Sequence, residues 1–96
     1  MPDYTLSPAA QADVEHIWHY TVEHWSKQQA ERYTRSIQAA CEALSDGSRV
    51  GQPADDIRPG YRKATVGSHV IFYRMQGNTV EVIRILHQRM DIERHM

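Results

Sequence analysis

Along this 96-residue chain the spacing of apolar positions changes once, from a helical period to an alternating one. Before the change, Tyr4 and Leu6 alternate with polar neighbours, which predicts a short edge strand within residues 1–7. Ser7-Pro8 then starts a helix. The serine can cap free N–H groups, and proline at the first helical position gives up no hydrogen bond. Ala10, Val14, Ile17, Trp18, Thr21 and Trp25 recur at helical spacing as one stripe, with Ala12, His16, His19 and Glu23 on the opposite, wet face. Ser26 with Gln29 three residues later has the form of a capping box, and the stripe it opens is Ala30, Tyr33, Ile37, Ala40, Cys41 and Leu44. Gly47 is its natural stop. So short a joint predicts an antiparallel helical hairpin over residues 8–46.

Residues 47–60 hold three of the five glycines, Pro53, Pro59 and Asp55-Asp56, and read as a loop. Alternation follows in Tyr61–Val66, His69–Met75 and Thr79–Leu86, separated by Gly67-Ser68 and Gln76-Gly77-Asn78, a three-stranded antiparallel meander within 61–87. Residues 88–96 form a tail, either a short helix or a flexible segment. The order describes a single α+β domain with the helical hairpin packed on the sheet. Trp18 and Trp25 are expected to anchor the shared core. On the last two strands Val70, Phe72, Val80, Val82 and Leu86 form one apolar set, and Ile71, Tyr73, Ile83 and Ile85 the other. One set packs on the helices. The other is covered by the tail or left for a partner segment.

Composition narrows the class. A mean hydropathy of −0.64, no apolar stretch near the length of a bilayer span and no leader pattern predict a soluble, cytoplasmic protein with no membrane partner. The single cysteine, Cys41, excludes an internal disulfide and reads as a small buried hydrophobe. The net charge of −1 conceals an asymmetry. Residues 1–56 carry four basic and nine acidic side chains, whereas residues 57–96 carry seven basic and three acidic ones. A positive face on the second half suits an acidic partner or phosphate.

Three stretches carry a resemblance to a known family. Leu6-Ser7-Pro8-Ala9-Ala10-Gln11-Ala12-Asp13 is similar to the strand-to-helix junction of the ParE/RelE toxins, in which a Ser/Thr-Pro-x-Ala pattern precedes an acidic residue. Ile57-Arg58-Pro59-Gly60-Tyr61-Arg62 resembles the segment leading into their meander. Val82 to Asp91, ending Leu86-His87-Gln88-Arg89-Met90-Asp91, resembles the close of the ParE branch and is the most specific of the three. The resemblance implies the toxin of a type II toxin–antitoxin system that inhibits DNA gyrase by binding, without cofactor or metal. It also implies a ParD-like cognate antitoxin whose acidic C-terminal segment lies across the toxin. The surface for target or antitoxin is expected among Tyr61, Arg62, Lys63, Arg74, Arg84, His87, Arg89, Met90 and Asp91.

The alternative is a ribosome-dependent mRNA interferase. Attack by a ribose 2′-OH needs a base, an acid and cations around the developing charge. Arg62, Arg74 and Arg84 could supply the cations and His87 the base. No tyrosine follows Met75 to serve as the phenol found in the final segment of the RNase branch. A module that binds antitoxin without toxicity is a third reading, and direct nucleic-acid binding stays open. His16 and His19 with Glu15 and Glu23 are too common an exposed set to predict a metal site.

Overall fold

A computed structural model describes residues 3–96, so the first two positions of the strand expected within 1–7 lie outside the described residues. In chain order the elements are β1 (Tyr4–Leu6), α1 (Pro8–His24), α2 (Lys27–Asp46), β2 (Gln52–Pro53), β3 (Arg62–Val66), β4 (His69–Gln76), β5 (Thr79–His87) and α3 (Ile92–His95). Both serine caps form, although the Gln29 side chain returns no bond to Ser26 N–H among the described residues. Ser7 Oγ accepts from Ala10 N–H and Ser26 Oγ from Gln29 N–H, each at 3.0 Å. Gly47 ends α2 at φ +85°, a conformation that costs other residues the clash of a Cβ.

The five strands order β1-β5-β4-β3-β2, and β3–β4–β5 form the antiparallel meander. β1 is an edge strand, as expected, and runs parallel to β5. The loop expected over 47–60 contains a two-residue strand, β2, paired with β3. Its proline sits on an edge, where a missing N–H breaks no ladder.

Ala10, Ile17, Ile37, Cys41 and Leu44 of the hairpin meet Ala64, Ile71, Tyr73, Val80, Val82 and Ile85 of the sheet in the main core. The tryptophan expectation fails. Trp25 sits at the C-cap of α1 and is 76% exposed, and Trp18 is only half-buried and outside the core. Helical spacing places a residue on a face, but only the length of the sheet decides how far that face is covered. The space is filled by β-branched residues and Tyr73 instead.

The apolar sets also differ from simple alternation. Val80 and Val82 join Ile71, Tyr73 and Ile85 on the helix side, while Val70, Phe72 and Leu86 lie on the other. The cause is a β-bulge. Tyr73 pairs with Val82 but Phe72 with Arg84, so Ile83 is an extra residue that shifts the phase of β5. The far face is covered from within the chain, by Ala54, Ile57, Tyr61, Ile92 and Met96. Between the tail and a partner segment, the tail closes this face.

The bulge is clamped by the start of α1. Ser7 N–H donates to Val82 O at 2.9 Å, and Ser7 Oγ donates to Ile83 O at 2.6 Å. Asp13 accepts two bonds from the Arg84 guanidinium, both at 2.8 Å, and one from Ile85 N–H at 2.9 Å. Ala10, fully buried, lets α1 approach this close.

Two stability tests follow. Asp13→Ala leaves Arg84 and the Ile85 N–H without their acceptor and should cost about 2–4 kcal/mol in chemical denaturation, with Asp13→Asn milder. Ile71→Ala should cost about 2–5 kcal/mol, whereas Trp25→Ala should stay within about 0.5 kcal/mol. Equal losses at Ile71 and Trp25 would refute this assignment of the core.

Candidate functional site

The strands distribute the expected site residues rather than gathering them. Tyr61 packs against the far-face cluster. Arg62 donates to Gly51 O at 2.6 Å and holds β2's approach to the sheet, where Tyr73 Oη accepts from Gly51 N–H. Lys63, half-buried, lines a shallow cleft beside β2. Arg74 forms a surface ion pair with Glu81, its cross-strand neighbour. Arg84 is engaged by Asp13 and also donates to His95 O at 2.6 Å, which ties α3 to the sheet. Its hydrogen bonds to Asp13 push the guanidinium pKa up. Asp91 is the exposed residue preceding α3, without a side-chain capping bond.

The four residues named for RNase chemistry therefore do not converge. His87 pairs with His69 at one end of β4, and Arg74 lies five residues further along that strand, roughly 16 Å away at about 3.3 Å per residue. Arg62 and Arg84 are each turned to a separate structural partner.

What the fold does bring together is a groove of about 390 Å³ between α1 and the end of the β4–β5 ladder. His16, Ile17, Tyr20 and Thr21 line it from α1, His69 from β4, and His87, Arg89 and Met90 from the end of β5 and the turn that follows. The turn is built by local bonds: Met90 N–H donates to His87 O at 2.9 Å, and Arg89 N–H donates to His87 Nδ1 at 3.1 Å. Gln88 N–H reaches across to Ser68 O at 2.9 Å and holds the turn to the β3–β4 connection. The Arg89 side chain has no hydrogen-bond or ion-pair partner among the described residues.

Behind the groove Tyr33, from α2, orders His69. Tyr33 Oη accepts from Ser68 N–H at 3.0 Å and lies 2.6 Å from His69 Nδ1. The one phenol proton has two acceptors in reach, His69 Nδ1 and, at 3.2 Å, Val66 O, and His69 Nδ1 accepts in one tautomer and donates to Tyr33 Oη in the other. The His69 and His87 rings meet edge to face at 5.3 Å. Burial, then the charge of His87, lower the His69 pKa, and the carboxylate of Asp13 partly opposes them.

Sequence reasoning found His87, Arg89 and Met90 but missed His69 and Tyr33, and considered His16 only for metal. The signal for His69 was its place just after the Gly67-Ser68 turn, opposite the end of the last strand. Three metal-ligating side chains do not converge anywhere among the described residues. Cys41 is buried, and burial followed by the charge of Glu42 pushes its thiol up to about 11, which suppresses the thiolate.

Comparison with known proteins bears on the whole chain. Residues 4–92 match the family described as ParE toxin of type II toxin-antitoxin system, parDE. The chain is 50% identical over 94 residues to Toxin ParE1 of Mycobacterium tuberculosis H37Rv, covering 97% of this chain and 96% of that one. It is 44% identical over 96 residues to Toxin ParE1 of Caulobacter vibrioides, covering 100% and 99%. In three dimensions it is similar to a chain of the chromosomal ParDE system from P. aeruginosa, with a TM-score of 0.77 at 21% identity over 91% of this chain and 96% of that one.

The lowered His69 pKa gives a stability test. The folded chain holds this imidazole neutral more firmly than the unfolded chain does, so His69 is without effect well above its ordinary pKa of 6.5. As pH falls below 6.5 the unfolded state gains the proton first and stability drops. Melting temperature between pH 7.5 and 5.5 should therefore fall more steeply in the unaltered chain than in His69→Gln. Parallel curves would contradict this role for His69.

Proposed function

This chain belongs to the ParE toxin family of type II toxin–antitoxin systems, and from that premise we propose that it arrests growth by binding and inhibiting DNA gyrase. The contact is made through the end of the meander and the turn His87 to Asp91, with Tyr61, Lys63 and Arg74 peripheral to it. A ParD-like cognate antitoxin, through an acidic C-terminal segment, holds the toxin inactive. The observation that carries this reading is the turn itself. It presents an unpaired Arg89 and a 40% exposed Met90 on a rigid hydrogen-bonded frame. A free cation beside exposed apolar surface, with its backbone ordered in advance, is the make-up of a protein-binding hot spot.

The fold likeness to a toxin of a ParDE system supports an antitoxin partner of the same kind. The scattering of Arg62, Arg74 and Arg84 supports binding over RNA cleavage, because transition-state stabilisation needs donors converging on one point. No helix among the described residues is long and apolar enough to cross a membrane, in keeping with a target inside the cell.

Purified toxin should block gyrase supercoiling or trap cleaved DNA, and Arg89→Ala should weaken this by about 5- to 30-fold, the loss of one interface anchor of 1–2 kcal/mol. Normal gyrase activity at saturating folded toxin rejects the proposal. Cleaved mRNA with intact gyrase activity would point to the interferase instead.

A further inference from the structure

The groove beside the turn has a chemical character of its own. Four of its lining side chains, His16, His69, His87 and Arg89, are basic or can become so, and none is a carboxylate. Its remaining walls are apolar or weakly polar, with Ile17 at the base and Met90 at the rim. A second cleft of about 260 Å³ adjoins it, shares Tyr20, Thr21, His69 and His87, and extends to Trp25. Tyr20 is 54% exposed and stacks on His24 with ring centroids 4.0 Å apart. The end of the molecule that holds the turn thus offers aromatic and thioether surface around a cluster of imidazoles.

We propose that this groove is the docking site for an acidic segment of the target protein, whose apolar side chain seats over Ile17 and Met90 while its carboxylates meet Arg89 and the imidazoles. His69 takes up a proton as the carboxylates arrive. The inference rests on the reading that the His87–Asp91 turn faces the target, and it names what the target presents there.

Charge complementarity selects an acidic occupant, and the reading that the turn faces the target makes that segment the target's. One arginine and three imidazoles over an apolar floor match a segment in which acidic and apolar residues alternate. A nucleic-acid strand would call for a continuous row of cations along its backbone, and Arg89 is the one full cation among the lining residues.

Imidazole is the side chain whose ordinary titration spans pH 5 to 8. From α1 the groups facing the imidazoles are Asp13, His16 and Tyr20, from α2 Tyr33, and from the end of β5 His87 and Arg89. Asp13 is already held by Arg84 and the Ile85 N–H. Burial and the neighbouring His87 disfavour a proton on His69, and an incoming acidic segment supplies the carboxylate that favours it. Binding then consumes protons, and affinity rises as pH falls.

The test uses the whole chain and a ten-residue amidated peptide alternating glutamate with leucine and phenylalanine. A lysine counterpart of the same spacing and a ten-nucleotide single-stranded DNA are the comparison probes. Calorimetry at pH 7.5 and 6.0 should show the acidic peptide binding about tenfold tighter at pH 6.0, the ratio expected for uptake of about two-thirds of a proton across that interval. Amide shifts should map to residues 68–69 and 87–90, and the lysine peptide should not bind. His69→Gln, confirmed folded by circular dichroism, should flatten the pH dependence, and Arg89→Gln should weaken binding at both pH values. Equal affinity at the two pH values, shifts mapping elsewhere, tighter binding of the DNA, or self-association of the chain through this face each overturn the proposal. Purified gyrase should displace the bound peptide, and displacement by the cognate antitoxin's C-terminal segment but not by gyrase overturns the proposal. Absence of gyrase inhibition would count against the proposed function without altering the peptide result, and peptide failure would leave gyrase inhibition to be judged separately.

Discussion

The carboxylate of Asp13 holds the two halves of this protein in register. It reaches from α1 to the bulge of β5, where it satisfies both the Arg84 guanidinium and the Ile85 N–H. With Ser7 bonded to Ile83 O and Val82 O, it turns a local irregularity of one strand into a fixed joint between helix and sheet. Such a joint is costly to break, because removing one member strands a largely desolvated charge.

Much of the remaining structure depends on that joint. The bulge lets Val80, Val82 and Ile85 all face the helices, and it turns Leu86 toward the far face beside Phe72 and Val70. Without the extra residue, alternation would carry Arg84 into the helix-packed side behind Val80 and Val82. The same arginine donates to His95 O and so secures the tail, whose Ile92 and Met96 close the far face. One clamp therefore sets which residues are core and where the chain's last segment lies.

The division of labour among the basic residues follows. Several arginines of the positive second half are spent on structure: Arg62 on Gly51, Arg84 on Asp13 and α3, Arg58 on the Met96 carbonyl. The charge asymmetry is real, but it does not by itself mark a binding face. Arg89 stands apart because it lies beyond the ladder, on a turn whose backbone bonds are satisfied locally and across to Ser68. That turn and the groove behind it are the surface proposed for a partner, and the turn lies outside the main core.

The sequence by itself determined the first strand, the two long helices, the meander, their order and the family. Capping residues, glycine stops and the switch from helical to alternating spacing act within a few residues, where local chemistry decides the conformation. It also carried the Ser7-Pro8 to Asp13 junction as a pattern, without the reason for it. Only the tertiary structure supplied the partner of Asp13, the bulge at Ile83, the exposure of Trp25, the short strand at Gln52–Pro53 and the meeting of His69 with His87. Each depends on residues far apart in the chain, and a one-residue change of phase or the reach of a sheet edge leaves no trace in local spacing. The groove became visible for the same reason: α1, the β3–β4 turn and the end of β5 are neighbours only after the clamp has set the helix against the sheet.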